Sequence, residues 1–361
     1  MPLIVGGGPA GAAAAIQLSR AGLRPVVIER SATPADMLCG GFLSWNSVRL
    51  LEECNVDPLA LGGHAIHRAR LFAGRHVTEL ALPAPAVGLS RRRLDAALLD
   101  QAAAAGADIR RGVTVRGIDN GVVRYADGTS ETPAHLILAT GKHDVRGAAR
   151  PAPTNDAAVG LRWQFPASQR LIQTLGDAIE LHLFHQGYAG LVGQEDGAVN
   201  LCLAVRQSAF VRAGKRPDAM LTALLAQTPG LADRLADVAV GEAQAIANIP
   251  YGWRADGPSE GLYRIGDQIG VIPSIAGEGV GIAIATGMAA AKAIMAGVDP
   301  LTYQRACSRQ IAPPIKWSGL IWSLAERPWL ATMALNLLSA LPGLGLAAMH
   351  ITRVAGSPRD D

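Results

Sequence analysis

Gly6, Gly8 and Gly11 stand at the spacing Gly-x-Gly-x-x-Gly, directly after the apolar run Pro2 to Val5 and at the head of an alanine-rich stretch. Each glycine has a steric duty in such a pattern: a tight turn, a close backbone approach to a pyrophosphate, and close packing of helix on strand. Pro9 and Ala10 open the helix whose N-terminus would face the anion. Glu29, with Arg30 beside it, ends a second apolar run, Pro25 to Ile28, and follows Gly11 by 18 residues. That is close to the roughly 20 expected of an acid that binds ribose hydroxyls. A carboxylate there repels a 2′-phosphate. The pattern therefore predicts FAD or NAD, rather than NADP, as the molecule held by this loop.

A second constellation lies far downstream: Tyr263-Arg264-Ile265-Gly266-Asp267, then Pro273, then Gly277-Glu278-Gly279-Val280-Gly281. It resembles the second FAD motif of the flavoprotein superfamily that includes aromatic hydroxylases of the p-hydroxybenzoate hydroxylase type, geranylgeranyl reductases and flavin halogenases. The resemblance implies FAD, with Asp267 on the ribityl chain and the amides of Gly277, Gly279, Val280 and Gly281 near the flavin pyrimidine edge. Reduced flavin carries negative charge there, and a helix N-terminus stabilises it. Arg91-x-x-Leu94-Asp95 resembles the arginine segment near the FAD pyrophosphate. Ala139-Thr140-Gly141 stands in the place of an Asp-Gly motif, with Thr140 where an aspartate is usual. Val115, Cys39 and Gly40 complete the candidate cofactor-binding set.

The elements that must position these residues read as an α/β protein. The expectation is a Rossmann-type FAD-binding domain with a β-meander, joined to an α+β substrate domain with a mixed sheet and a C-terminal helical segment. We divide the chain into 1–60, 88–155 and 250–310 for FAD, 61–87 and 156–249 for substrate, and 311–361 as a helical cap. Helices are predicted over Ala12 to Ala21, Arg91 to Ala105, Arg216 to Val240 with a break at Pro229-Gly230, and Gly279 to Gly297. Strands are predicted over Val113 to Val115, Val122 to Tyr125, His135 to Ala139, Leu161 to Phe165, His182 to Tyr188 and Leu262 to Ile265. Hairpin signals stand at Asp119-Asn120-Gly121 and Glu195-Asp196-Gly197.

Composition narrows the function. A net charge of +3 over 361 residues, with no like-charge run longer than Arg91-Arg92-Arg93, gives no reason to expect nucleic acid. Cys39, Cys54, Cys202 and Cys307 have no paired spacing and no His cluster beside them, so neither a metal site nor a disulfide framework is indicated. No secretion signal opens the sequence, and a cytoplasmic location is expected. The apolar stretch Trp317 to Met349 is interrupted at Glu326-Arg327-Pro328 and Pro342-Gly343. It reads as helices capping a substrate cavity, with peripheral membrane contact as the alternative.

The resemblance leaves the reaction open. Cys39-Gly40-Gly41-Phe42-Leu43-Ser44 resembles an element of geranylgeranyl reductases, but only Tyr188 survives of their Tyr-x-Trp-x-Phe-Pro element. Tyr251-Gly252-Trp253 does not match the halogenase Trp-x-Trp-x-Ile-Pro element. Taken together, Cys39 to Ser44, Ala139 to Asp144 and Gly187 to Leu191 look most like monooxygenases found beside polyketide synthases. The resemblance implies hydroxylation of a hydrophobic, phenolic or polyketide-type substrate by molecular oxygen through a flavin C4a-hydroperoxide, with NAD(P)H or a partner flavin reductase as the electron source. A flavin-dependent C=C reductase and a non-catalytic electron carrier are the alternatives. Candidate catalytic residues are His185 and Tyr188, with His182 near them; candidate substrate contacts are Cys39, Trp163, Phe165 and Pro273.

Overall fold

In the computed structural model, which describes residues 1–153, 156–258 and 261–354, β1 (Pro2–Val5), α1 (Pro9–Arg20) and β2 (Val26–Glu29) form the opening β-α-β unit. β3 (Phe42–Leu43) and α2 (Trp45–Glu52) precede a long hairpin, β4 (His64–Ala73) and β5 (His76–Gly88). Next come α3 (Arg91–Ala104), β6 (Asp108–Arg111), β7 (Val115–Asp119), β8 (Val122–Tyr125), β9 (Ser130–Glu131) and β10 (His135–Leu138). The middle of the chain contributes β11 (Ala158–Pro166), α4 (Gln169–Leu175), β12 (Ala178–Phe184), β13 (Gly187–Gly193), β14 (Ala198–Arg206), α5 (Gln207–Arg212), α6 (Pro217–Gln227), α7 (Pro229–Leu235) and β15 (Gln244–Ile249). β16 (Leu262–Arg264), α8 (Gly279–Met295), α9 (Pro300–Ala325), α10 (Pro328–Ala340) and α11 (Pro342–Ile351) complete it.

Three sheets result. A parallel five-stranded sheet has the order β16-β10-β1-β2-β6, and β7-β8-β9 make an antiparallel meander beside it. The third is an eight-stranded mixed sheet, β15-β11-β14-β13-β12-β4-β5-β3, parallel only where β12 meets β4. Short apolar runs such as Leu3-Ile4-Val5 and Val26-Val27-Ile28 are buried on both faces, as a covered parallel sheet requires. The expected α/β class with a meander, a mixed sheet and C-terminal helices is what the chain adopts.

Local details differ from the sequence expectations. Val113 and Thr114 lie outside any strand; β6 ends at Arg111 and β7 begins at Val115. His182 to Tyr188 is not one strand. The chain reverses at His185-Gln186, where Gln186 takes φ +65°, so β12 and β13 form a tight hairpin. Gln169 to Leu175 is helical, capped by the Ser168 hydroxyl, which accepts the Leu171 amide. Arg216 to Val240 resolves into α6 and α7, broken where Pro229 opens α7.

α1 and α8 cross at very short range. An added Cβ at Gly287 would lie 2.2 Å from the carbonyl oxygen of Ala10, so only hydrogen fits at this crossing. Gly11 is equally tight, 2.0 Å from the Gly6 carbonyl oxygen. Gly287→Ala is therefore expected to cost about 1–3 kcal/mol by overpacking. Denaturant melts of the wild type and the variant check this.

Candidate active site

Two helix N-termini point at one place. Gly8 caps α1 and Glu278 caps α8 with no side-chain acceptor for the first-turn amides, as is also true of α5, α6, α7, α10 and α11, whereas the side chains of Ser44, Ser90 and Asp299 accept from the first-turn amides of α2, α3 and α9. The free amides of α1 and α8 are the donors an anion needs. Between them runs a continuous cavity of about 900 Å³. That is at the upper end of the roughly 300–1,000 Å³ usual for one ligand, so it has room for more than a single small molecule.

At one end the glycine loop is pinned by Glu29. Its carboxylate accepts the Gly7 amide at 2.9 Å and the Ser31 amide at 2.8 Å. Gly6 takes φ +111°, and a Cβ there would strike the Ala139 carbonyl oxygen at 2.4 Å. Arg91 lies beside Gly8 and is held by Asp95 through two hydrogen bonds, of 2.8 and 2.7 Å. Burial works against charge on Asp95 and lifts its carboxyl above the ordinary range despite the arginine. Pro9, Ala10, Arg30, Val115, Thr140, Gly141, Gly266 and Asp267 line the same stretch of wall. Thr140 keeps its hydroxyl on the His143 carbonyl at 2.6 Å, and Asp267 lies 3.5 Å from Lys142.

In the middle, Gly277, Gly279 and Val280 form the wall opposite Cys39 and Gly40. A Cβ at Gly40, Gly141 or Gly279 would meet no atom within 4 Å, so these backbones present open surface to a ligand. Gly11 and Gly281 do not line the cavity; Gly11 packs on Gly6, and Gly281 on the Glu278 carboxylate. The Cys39-Gly40 loop is tied to the mixed sheet by Asn200, whose amide donates to the carbonyls of Cys39 and Gly40 at 3.2 and 2.8 Å. Buried Arg162 holds Asn200 at 2.6 Å. Sequence reasoning missed both; the only signal was a polar residue at an inward position of each strand.

At the far end the wall is apolar. Leu71, Leu80, Leu82, Leu181 and Leu183 come from the mixed sheet, and Ile321, Leu335 and Leu338 from α9 and α10. One polar group interrupts them. Tyr188 donates to the Ser274 hydroxyl at 2.7 Å, and the Tyr251 hydroxyl meets the same serine at 2.5 Å. Trp322 of α9 packs edge-on against both rings, with centroids 5.6 and 5.7 Å away. Burial pushes both phenols well above their ordinary range, so both stay protonated at neutral pH. Cys202 shares this wall, its thiol pushed up to about 12 by the same desolvation.

Strand parity corrects part of the sequence reading. The register row Arg162–Cys202–Gly190–Leu181–Leu71 faces the cavity, so the adjoining row, Trp163–Leu201–Leu191, faces away. Trp163 and Phe165 are core residues packed with Leu171, Met220 and Leu231 beneath α4, α6 and α7. His182 is turned the same way, stacked on Phe72 with centroids 4.3 Å apart and 3.2 Å from Glu180. His185 sits exposed on the hairpin turn, and Pro273 is buried behind Ser274 without reaching the cavity. Of the proposed chemical residues, Tyr188 and Cys39 are the ones brought to the cavity. Ser274 and Tyr251 join them without a sequence motif to announce them.

Residues 2–146 match the family model described as FAD binding domain. No curated protein sequence matches the chain. Among solved structures, a triple mutant of the flavin-dependent brominase Bmp2 superposes with TM-score 0.76 at 18% identity, covering 96% of this chain and 94% of that one. The halogenase PltM gives 0.76 at 14% identity, covering 97% and 81%. PqsL of Pseudomonas aeruginosa, solved with 2-aminobenzoylacetate, gives 0.73 at 16% identity, covering 93% and 99%. Residues 2–146 thus match an FAD-binding domain, FAD is the cofactor, and the chain as a whole has the fold of these flavin-dependent proteins.

Because Glu29 fixes the loop through two charge-assisted hydrogen bonds, Glu29→Ala should weaken FAD binding by about tenfold or more. Flavin retained after dialysis, compared with the wild type at equal folded fraction by circular dichroism, measures it; unchanged retention would contradict the assignment.

Proposed function

We propose that the protein is a monooxygenase that hydroxylates a hydrophobic, phenolic or polyketide-type substrate, with NAD(P)H as reductant. The observation that carries this reading is the Tyr188–Ser274–Tyr251 group, the polar set in the apolar end of a cavity whose other end is the FAD loop. A phenolic oxygen docked there finds hydroxyl donors and acceptors, while its ring is enclosed by leucines. Fold similarity to PqsL and to the halogenases supports flavin chemistry on small molecules without choosing among reactions.

Bound FAD supplies electrons from NAD(P)H to oxygen; the chain's residues do the rest. The amides at the start of α8 stabilise negative charge on the flavin side. Tyr188 and Tyr251, held neutral by burial, orient the substrate as hydrogen-bonding groups and do not act as bases. Trp322 and the leucines of α10 keep water from the reacting centre. A protonated tyrosine beside Cys39 equally suits proton donation during C=C reduction, and the same experiment separates the two.

Purified holoprotein should consume oxygen and NADH or NADPH in step with hydroxylated product when given candidate phenols. Peroxide as the sole product would refute the oxygenase reading, and anaerobic conversion of an alkene would establish the reductase. Tyr188→Phe should lower kcat/KM for a phenol by about tenfold to a hundredfold, the worth of one well-placed hydrogen bond. Its FAD content should not change. Because burial raises the Tyr188 phenol above its usual pKa near 10, ionisation of this group should cause no loss of activity below about pH 10.

A further inference from the structure

The outer surface of the C-terminal helices is unlike the rest of the molecule. Ten of the seventeen exposed large apolar side chains among the described residues fall between Trp317 and Ile351. On α10 and its cap, Trp329, Met333, Leu337 and Leu341 recur every four residues, each more than half exposed. Four-residue spacing places them along one helical face, opposite the buried Ala331 and Leu335. Trp317, Leu320 and Leu324 form a similar stripe on α9, and on α11 Leu344 and Ile351 share one face while Leu346 is exposed on another. Scattered apolar exposure needs no explanation, but a concentration of this kind marks an interaction site.

Two further observations say what covers it. From Pro300 to Arg353 the chain carries Arg305, Arg309, Lys316, Arg327 and Arg353 against a single carboxylate, Glu326, which is neutralised by Arg206 at 2.6 and 2.9 Å. Lys316 immediately precedes Trp317, and Arg327 stands two residues before Trp329. Both are exposed and form no ion pair among the described residues. Apolar stripes flanked by unpaired cations, with no free carboxylate among the described residues from Pro300 to Arg353, complement an anionic lipid surface. The second observation is continuity with the cavity. Leu324, Leu337 and Leu344 belong both to the exposed stripes and to the cavity wall. Among the described residues no single helix is long and apolar enough to cross a membrane; α10 and α11 pass that test only as a pair, bent by 112°. The fit is to a bilayer surface met from one side.

We propose that the α9–α11 face docks on an anionic lipid bilayer and that the leucine-lined wall at Leu324, Leu337 and Leu344 is where a lipid-dissolved substrate enters. The entry route rests on the reading of a hydrophobic substrate. The docking does not, so the test measures binding without turnover.

Holoprotein is sedimented with vesicles of phosphatidylcholine alone and with about one third phosphatidylglycerol. Two double variants are compared, Trp329→Ser with Met333→Ser, and Lys316→Glu with Arg327→Glu. None of these four residues lines the cavity. Binding should favour the anionic vesicles and fall by about tenfold or more in each variant. FAD content and turnover of a water-soluble substrate should stay unchanged. Equal binding to both vesicle types, or variants that bind like the wild type, would overturn the proposal. So would a wild-type dimer in analytical ultracentrifugation that becomes monomeric in the Trp329 variant without vesicle binding, because a second copy would then own the face. An inactive protein that still binds anionic vesicles would count against the hydroxylase reading and leave the docking intact.

Discussion

The carboxylate of Glu278 has no exposed surface, yet two other, widely separated parts of the chain converge on it. It accepts from the Ser44 hydroxyl at 2.7 Å, from the Asn46 amide at 2.5 Å and from the Val354 amide at 3.4 Å, and it lies 3.4 Å from the Arg353 guanidinium. Burial raises its pKa and so works against the charged form, while these donors and the amide end of α8 work for it. Removing any one partner would leave a buried charge with less compensation. The group therefore constrains geometry more than it adds net stability. It fixes α8, whose first residues Gly279 and Val280 line the cavity, to the segment that starts α2 and to the end of the C-terminal cap. Arg353 reinforces this by stacking over Trp45 at 4.3 Å and donating to the Ala276 carbonyl at 2.6 Å. The loop carrying Ser274 to Gly277 is thus held from both sides.

The dinucleotide end was legible in sequence because its constraints are steric and local. Gly6, Gly11 and Glu29 lie within one β-α-β unit; the contact that forbids a side chain at Gly11 is made by backbone five positions away, and Gly6 is marked by its positive φ even though the atom it would strike belongs to Ala139. Gly266-Asp267 and the turn before α8 were legible for a different reason: they resemble a motif. The chemical end was not legible in the same way. Tyr188, Tyr251 and Ser274 are separated by 23 to 86 residues, and only the meeting of β13 with the loops after β15 and β16 brings them together. Trp163 and Phe165 show how little separates the two outcomes. Alternation along β11 was read correctly, but alternation alone does not say which face looks into the cavity, and one residue of parity moved both into the opposite core. The His182 to Tyr188 strand failed through Gln186, whose left-handed backbone conformation carries no glycine to signal it.

The two walls of the apolar chamber differ in how they are held. The sheet wall, formed by β4, β5, β12 and β13, is closed by continuous ladders of backbone hydrogen bonds. The helical wall is attached by scattered polar links: the Thr78 hydroxyl to the Leu335 carbonyl at 3.1 Å and to Ser339 at 2.8 Å, Glu326 to Arg206 and to the Gln186 amide, and the Arg353–Val354 end to Asn46, Ala276 and Glu278. Between these points it packs through apolar side chains such as Ala331 and Leu335. On the proposed entry route, a hydrophobic substrate would pass where separation breaks the fewest directional bonds, between α10 and the sheet rather than through the sheet. Glu278, accepting from the Val354 amide and facing Arg353, ties the end of that helical wall to the start of α8.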